Sequence, residues 1–380
     1  MKTIARIVVL ASALTLSADA AEPEARLVPY RLAFSPDAKT LAVVGTVAGK
    51  PSLDLWDVAA RRRLWRVSLT TASRGLAWAD GKTLLVASGP AVLAIDAVDG
   101  KTRRSLKPHG KAVVAMAVSK DGKTLATAGD DRTVRVRDWK ADRPIVKCEG
   151  DAGAASCLSF SPDGKRLLAA NGKGVVLWDA TTGIRLREIN PSHFHVPVAM
   201  FDGAEVVAGS YDGAVRVFDA ESGKPNARFA GPGGVDGLAL HDGKHLLAAW
   251  GSGGSISLYA IDPGPPDAAT AARIKELLTK LDDDSYEVRE AASRDFRPLG
   301  FVAEKALRQA VESSPSAEVR IRARVLRHAL FAEPRSLKGH SGRIRNAAFS
   351  ADGKTLASCA DDGTVRLWDT ADGKEVATLP

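Results

Sequence analysis

The residue types of a Ser-His-Asp catalytic set occur near the end of this 380-residue sequence, as His340, Ser358 and Asp362. In a hydrolase, such a set needs a serine hydroxyl that substrate can reach, beside donors that stabilise an oxyanion. The same residue types, buried and bonded to one another, do no chemistry and only hold structure together. The choice between these two roles depends on the elements that carry the residues.

Other chemical motifs are weak or missing in the sequence. There is no phosphate-binding GxxxxGK[ST] loop, no HExxH, no CxxC and no GxSxG nucleophile elbow. The run His193-Phe194-His195 puts two imidazoles on one side of an extended segment, but no third ligand is near in sequence. We therefore predict no catalytic residue, no cofactor and no metal site.

A repeat of roughly forty residues runs through the chain. One sequence position, usually followed by an aspartate, recurs along the chain and is called here the slot. Its successive occurrences are 39, 42, 41, 40, 41 and 109 residues apart. The slot holds Trp56, Ile95, Arg137, Trp178, Phe218, Tyr259 and Trp368. A period of this length predicts stacked structural repeats.

The last repeat shows the internal pattern most clearly. Its segments 344–349 and 364–369 alternate apolar and polar residues, as half-buried strands do. Asp-Gly and Gly-Lys pairs between the segments supply the positive-φ positions that turns between antiparallel strands need. Each repeat therefore predicts four short strands, and the fold class is all-β.

These motifs make the chain resemble the WD-repeat β-propellers. The matching motifs are Phe-Ser-Pro-Asp at 34–37 and 160–163, Phe-Ser-Ala-Asp-Gly at 349–353, and Leu-Trp-Asp at 55–57, 177–179 and 367–369. The resemblance implies a seven-bladed β-propeller of four-stranded antiparallel blades, with strands a to d running from the central channel outwards. Residues 21–262 are assigned to blades 1 to 6, and residues 335–380 to the end of blade 6 and blade 7.

The resemblance also implies a role for the first three residues. In this family, a buried histidine before strand a, a hydroxyl on strand b, an aspartate in the b–c turn and a tryptophan on strand c hydrogen-bond to one another. These positions are filled in the last repeat by His340, Ser358, Asp362 and Trp368. The third repeat keeps His109, Thr127 and Asp131 but has Arg137 in the tryptophan position. Such a set orients loops and performs no reaction.

Propellers of this family bind partners through the b–c and d–a loops around the mouth of the channel, because stacked blades hold irregular loops at fixed spacing. By loop position alone, the candidate interaction residues are Lys111, Arg132, Tyr211 and Arg343. We expect a non-catalytic protein-protein interaction module or scaffold. The alternative is a propeller enzyme, of hydrolase or redox type, whose site at the channel mouth would need several converging carboxylates or histidines.

The gap of 109 residues contains a segment of another class. Prolines and glycine at 263–266 end the strand pattern, and the apolar residues then follow a helical period. Four helices are predicted within 263–334, with Ser314 capping the last helix and Pro315 in its first turn. They form two helical hairpins that resemble HEAT-like repeats.

The position of this insert follows from the residues after it. Residues 335–340 are similar to 103–109, which form an outer strand d that leads into the next blade. The insert is therefore expected in the c–d connection of blade 6. It should project from the face that carries the a–b turns, opposite the b–c and d–a loops.

The first twenty residues predict export. Lys2 and Arg6 precede an apolar stretch from Ile7 to Leu16, followed by Ala18-Asp19-Ala20, the order of a secretory signal peptide. We expect cleavage after Ala20, a periplasmic or extracellular location, and no transmembrane segment in the mature chain. The three cysteines of an exported chain cannot all pair with one another, and we expect three buried thiols.

The charge balance is moderately basic, with 53 Lys and Arg against 45 Asp and Glu. Clusters at 61–63 and 101–111 could bind an anionic partner, or could be solvated faces of outer strands. Export argues against nucleic acid as a target. The anionic partners that remain are acidic proteins, envelope polymers or a membrane surface, and we predict protein partners, among which acidic ones would suit these clusters.

Overall fold

The computed structural model describes residues 27–148, 155–190, 195–241, 246–260, 268–296, 299, 303–331 and 334–379. The described strands form seven antiparallel sheets of four strands each, and the described helices form a separate group. The seven-bladed β-propeller predicted from the sequence is confirmed. The predicted signal peptide (1–20) and His193 lie outside the described residues.

The first four blades each take four strands in chain order. Blade 1 contains β1 (Leu27–Phe34), β2 (Thr40–Val47), β3 (Lys50–Asp57) and β4 (Arg62–Ser68). Blade 2 contains β5 (Leu76–Asp80), β6 (Thr83–Ser88), β7 (Ala91–Asp96) and β8 (Thr102–Leu106). Blade 3 contains β9 (Val113–Val118), β10 (Thr124–Gly129), β11 (Val134–Asp138) and β12 (Arg143–Lys147). Blade 4 contains β13 (Cys157–Phe160), β14 (Arg166–Ala170), β15 (Val175–Asp179) and β16 (Arg185–Ile189).

The helices interrupt blade 6 between its third and fourth strands. Blade 5 contains β17 (Val198–Asp202), β18 (Glu205–Gly209), β19 (Ala214–Asp219) and β20 (Pro225–Ala230). Blade 6 contains β21 (Val235–His241), β22 (Leu246–Gly251), β23 (Ser255–Ala260) and β24 (Arg335–Lys338). The insert contains α1 (Ala268–Lys280), α2 (Tyr286–Asp295), α3 (Glu304–Ser313) and α4 (Ala317–Phe331). Blade 7 contains β25 (Ile344–Phe349), β26 (Thr355–Ala360), β27 (Val365–Asp369) and β28 (Glu375–Leu379).

The apolar side chains of strands a to c pack between neighbouring blades. The middle of strand b is buried on both of its faces in every blade, because a blade on each side covers it. The a–b turns repeat one local structure, in which a serine hydroxyl bonds the aspartate two residues later. This occurs at Ser35, Ser119, Ser161 and Ser350. The Phe-Ser-x-Asp motifs of the sequence are therefore turn formers.

The ring closes without strand exchange, a point that the sequence leaves open. Blade 7 supplies its own strand d, β28, and blade 1 its own strand a, β1. The two blades share a buried cluster that includes Leu32, Trp56 and Leu367. Asn346 of blade 7 also accepts a hydrogen bond at Oδ1 from the Leu32 N–H of blade 1, at 3.1 Å. Side-chain packing therefore holds the seam between blades 7 and 1.

One position on each outer strand d has the same register against strand c. It holds Trp65, Arg104, Val146, Arg187, Ala227, Arg335 and Ala377. Three of these side chains reach the c–d turn of the next blade: Trp65 donates to the Ala97 carbonyl at 2.8 Å, and Arg104 and Arg335 donate to turn carbonyls of blades 3 and 7. The position holds Ala227 in blade 5, next to the blade whose c–d connection is the insert. It holds Ala377 in blade 7, at the seam of the ring. Outer strands thus link blade 1 to blade 2, blade 2 to blade 3 and blade 6 to blade 7.

The helical insert has its own core. Ile274, Leu277, Phe296 and Leu307 are among its buried residues, and no propeller residue belongs to this cluster. Helices α2 and α4 are joined by an ion pair between Arg322 and Glu290 at 2.8 Å. The expected cap of the last helix is wrong by two residues. Helix α4 begins at Ala317, and the Ser316 hydroxyl accepts the Val319 N–H at 3.2 Å, so Ser316 and not Ser314 provides the cap.

Candidate interaction face

The four predicted residues of blade 7 lie in one hydrogen-bonded set. His340 contacts Asp362 through Nδ1 at 2.9 Å and Ser358 Oγ through Nε2 at 2.8 Å. The Trp368 indole N–H donates to the same Ser358 oxygen at 2.7 Å. Ser358 is fully buried, with an exposed fraction of 0%. A hydroxyl without access to solvent cannot attack a substrate, so the geometry of this set is that of a structural network.

Burial and hydrogen bonding fix the protonation states in this set. Burial lowers the pKa of His340, against the opposing effect of Asp362, so the neutral imidazole is favoured. Burial also disfavours the charged form of Asp362, but hydrogen bonds from Thr364, His340 and Ser341 outweigh it and lower the pKa of Asp362 to about 2. The set therefore combines a neutral histidine with an ionised aspartate at neutral pH.

Blade 3 holds the reduced set that its sequence indicates. His109 contacts Asp131 through Nδ1 at 3.1 Å and Thr127 Oγ1 through Nε2 at 3.0 Å. The indole of Trp139 does not replace the missing tryptophan, because it donates to the Gly122 carbonyl at 2.8 Å. The Thr127 hydroxyl therefore has one partner fewer than Ser358 has in blade 7.

The b–c turns and d–a loops are tied together by a hydrogen bond that recurs around the ring. The backbone N–H of the b–c turn donates to the carbonyl at the end of the preceding d–a loop. The bonds run from Asp130 to Ala112 at 2.9 Å, from Tyr211 to His195 at 3.0 Å, and from Asp361 to Arg343 at 3.0 Å. The two kinds of loop thus form one face in blades 3, 5 and 7. We call this surface the b–c/d–a face.

The four candidate interaction residues all lie on the b–c/d–a face, in three blades. Lys111 and Arg132 are exposed in the d–a loop and b–c turn of blade 3, and Arg132 has a left-handed backbone with φ of 60°. Tyr211 is exposed in blade 5 and stacks on His195, with ring centroids 5.0 Å apart. The stacked pair presents an aromatic surface to solvent that the sequence analysis did not predict.

Arg343 in blade 7 is exposed but not free. Its guanidinium pairs with Asp236 of blade 6 at 2.9 Å, a contact between residues 107 positions apart that no local pattern could indicate. Other aspartates of the face are paired in the same way. Asp212 pairs with Arg216, and Asp361 with Arg345 at 2.5 Å. These carboxylates are neutralised in place.

The two basic clusters lie mostly away from this face. Arg62 and Arg63 are on β4, and Arg103 and Arg104 are on β8, both outer strands d. Lys107 and Lys111 of the second cluster lie exposed in the d–a loop of the b–c/d–a face. The other basic residues of the two clusters thus lie on outer strands or in c–d turns.

The cysteines and the other candidate chemistry give a mixed result. Three free cysteines are found: Cys148 and Cys359 are buried, whereas Cys157 is half-buried, so the prediction of three buried residues holds for two.

Across the described residues, no three His, Cys, Asp or Glu side chains come together as a metal site. No helix in the described part of the chain is long and apolar enough to cross a membrane.

Comparison with known sequences agrees with the architecture. The pattern of the WD domain, G-beta repeat (WD40), matches residues 100–138, 142–179 and 332–369. The matched ranges include strands a to c of blades 3, 4 and 7, each preceded by strand d of the blade before. The chain thus carries WD40 repeats within a seven-bladed propeller.

The curated relatives are distant. The mouse serine-threonine kinase receptor-associated protein (Mus musculus) is 25% identical over 283 residues, which cover 73% of this chain and 61% of that protein. The COMPASS component SWD3 of Saccharomyces cerevisiae is 28% identical over 149 residues, 38% of this chain and 47% of that protein. The intraflagellar transport protein 122 homolog of Xenopus tropicalis is 26% identical over 156 residues, 41% of this chain and 13% of that protein. The chain therefore spans less than two thirds of the length of each of these relatives.

Proposed function

We propose that this chain is a non-catalytic interaction scaffold that binds protein partners through the b–c/d–a face. The observation that carries the proposal is the construction of that face. Recurrent backbone hydrogen bonds hold its loops in place, while Lys111, Arg132 and the Tyr211–His195 stack remain exposed. Exposed aromatic and basic side chains on a rigid support are typical of protein interfaces.

The charges of the face support binding over catalysis. An enzyme of the alternative class needs free carboxylates at the channel mouth as acids or bases. Asp212, Asp236 and Asp361 instead pair with arginines, and the His340–Ser358 pair is buried. The names of two relatives, a receptor-associated protein and a COMPASS component, also describe proteins that assemble with others. Partners with acidic surfaces would complement Lys111 and Arg132.

The helical insert is proposed as a second, HEAT-like binding surface on the opposite face. It joins β23 to β24, and c–d connections leave the blades at the end that carries the a–b turns. Among its described residues, the exposed large apolar side chains are Tyr286 on α2 and Ile321 and Val325 on α4, with exposed fractions of 64%, 57% and 61%. Two separate surfaces would let the chain bridge two partners.

We further propose that the chain is exported and acts in the periplasm or outside the cell. The support is the order of charge, apolar core and small residues in positions 1–20. Amino-terminal sequencing of the protein from its native host should then give a chain that starts at Ala21. A chain that retains Met1 would show that this part of the proposal is wrong.

The binding proposal is tested by affinity capture from the native envelope fraction. Four baits are compared: the mature chain, Lys111→Glu with Tyr211→Ala on the b–c/d–a face, a matched Arg62→Glu with Leu186→Ala control on outer strands, and a chain with 265–332 replaced by a short turn. We expect a partner that binds the first and third baits and is lost with the second. Loss with the fourth bait alone assigns that partner to the helices.

A different outcome would favour the enzyme alternative. If no bait retains a protein and the purified chain hydrolyses a general ester or phosphoester substrate, the scaffold proposal is wrong. A partner that binds the face variant as well as the outer-strand control would leave the scaffold role but exclude this face as its site.

A further inference from the structure

A single charged side chain occupies one layer of the central channel. The layer consists of the strand a residue opposite the fifth residue of strand b in each blade. Its members are Arg31, Gly75, Ala115, Cys157, Val198, Gly237 and Asn346. Six of these seven residues are small or neutral, and Arg31 is the exception.

Contacts of two members show that this layer lines the wall of the channel. The Cys157 thiol lies 3.2 Å from the Ala199 carbonyl of blade 5, and Asn346 Oδ1 lies 3.1 Å from the Leu32 N–H of blade 1. Both partners are backbone groups on the inner edge of a strand a. That edge faces the channel, since strand a is the first strand of each sheet. Side chains in this layer therefore lie along the channel wall.

The Arg31 side chain has no acceptor. It is half-buried, yet it forms no hydrogen bond or ion pair with any described residue. Arginines of the b–c/d–a face behave differently, as the pairs of Arg343 with Asp236 and of Arg345 with Asp361 show. An arginine that is half-buried and unpaired loses hydration without gaining a partner.

The charge of Arg31 is directed into the channel. Burial raises the pKa of the Cys157 thiol in blade 4, and the hydrogen bond to the Ala199 backbone and the Arg31 guanidinium partly offset that rise. The guanidinium also opposes the burial that raises the pKa of Cys359, in blade 7, to about 12. Blade 4 packs against blades 3 and 5, so blade 1 acts on Cys157 across the channel. A β-bulge at Tyr30 shifts the register just before Arg31, and bulges of this kind re-aim the side chains next to them.

We propose that the central channel contains an anion site in which Arg31 binds a carboxylate group, supplied by a small organic acid or by an acidic side chain of a partner. The guanidinium fork matches the two oxygens of a carboxylate and stays charged at any physiological pH. Asn346 lies on the adjacent strand a, and its Nδ2 has no partner among the described residues, which leaves a second donor on the same wall. This site does not depend on the proposed partner-binding face.

The test is calorimetric titration of the full mature chain at low ionic strength with succinate and, separately, with a short Asp-Gly peptide. Arg31→Gln is compared with Arg62→Gln, which removes the same charge from an exposed outer strand. We expect Arg31→Gln to weaken succinate binding by at least about tenfold, because a charge-assisted pair is lost, and Arg62→Gln to leave it unchanged. Binding of succinate alone indicates a small acid, and binding of the peptide also indicates an acidic side chain.

Two results would overturn the site. One is equal succinate affinity in Arg31→Gln and the unmodified chain, and the other is no binding of either probe to the unmodified chain. If Arg31→Gln does not fold, an NMR titration of the unmodified chain provides the test. The Arg31 Nε–H resonance of the unmodified chain should shift during the succinate titration while that of Arg62 stays, and an unchanged Arg31 resonance contradicts the proposal.

Discussion

The Ser358 hydroxyl takes part in two hydrogen bonds and is fully buried. Its oxygen receives the Trp368 indole N–H and contacts His340 Nε2, and these three residues join strands b and c to the d–a loop. The residue types are those of a catalytic set, but burial decides their role. The sequence indicates that His340, Ser358 and Trp368 contact one another. Their burial, in contrast, depends on the neighbouring blades that surround them.

The number of hydrogen-bond partners of each hydroxyl determines how much stability its removal is expected to cost. Ser358→Ala leaves a buried indole N–H and a buried imidazole without their partner, so we expect a loss of about 2–4 kcal/mol in the free energy of unfolding. Thr127→Val, which keeps the side-chain shape, removes one contact to His109 and should cost about 1–2 kcal/mol. Urea unfolding of both variants measures the difference. An equal or reversed order would contradict the role assigned to the Trp368 bond.

The buried histidines predict a loss of stability in mild acid. Burial lowers the pKa of His340 and His109 below the ordinary value of 6.5. Below that pH, the unfolded chain therefore binds more protons at these two residues than the folded chain does. Stability should fall as the pH drops below about 6.5. The contribution of Asp362, whose pKa is lowered to about 2 from 3.8, is present above pH 3.8 and is lost as the pH falls towards 2.

Unfolding of a His109→Gln, His340→Gln double variant tests the histidine contribution. Between pH 7.5 and 5.0, the unmodified chain should lose more stability than the variant, because the variant lacks the two groups that titrate in that window. The same loss in both proteins would show that other groups cause the pH dependence.

The blades were predictable from sequence because their contacts are local. Each blade consists of hairpins whose turn motifs and apolar alternation lie within about forty residues. The insert was located because residues 335–338 have the pattern of a strand d, and they do pair with β23. Contacts between loops follow no such period. The Arg343–Asp236 pair, the Tyr211–His195 stack and the unpaired Arg31 depend on blades that meet only after the ring has formed.

The insert should be removable without loss of the propeller. Its core contains helix residues and the segments between them, and β23 and β24 already pair as neighbours. Replacing 265–332 by a short turn shortens the loop that this hairpin must close, which does not raise the entropic cost. We expect a propeller whose thermal midpoint lies within about 2–4 °C of the full chain, the shift that ~1 kcal/mol produces in a domain of 150–250 residues. Collapse of the β-sheet circular dichroism signal in the shortened chain would contradict this.

At the scale of the whole molecule, the seam between blades 7 and 1 is the blade contact that no d–a loop of the chain bridges. Leu32 bonds Asn346, and Arg61 donates to the Val376 carbonyl at 3.2 Å, but no strand crosses the seam. Hydrogen exchange followed by mass spectrometry should find β1 exchanging before β10 or β14 in mild denaturant. Asn346→Ala should widen the difference. Uniform exchange across all blades would show that the seam is as stable as the other blade contacts.

The central claim is that the b–c/d–a face binds a protein partner. Its most direct test is a photo-cross-linking amino acid placed at Lys111 or Tyr211 on the face, and at Leu186 on an outer strand as the control, in cells of the native host. All three side chains are exposed, so the positions differ in location and not in access. We predict a discrete protein adduct from Lys111 and Tyr211 that is absent from Leu186. Adducts from Leu186 alone, or none at any of the three positions, would contradict the claim.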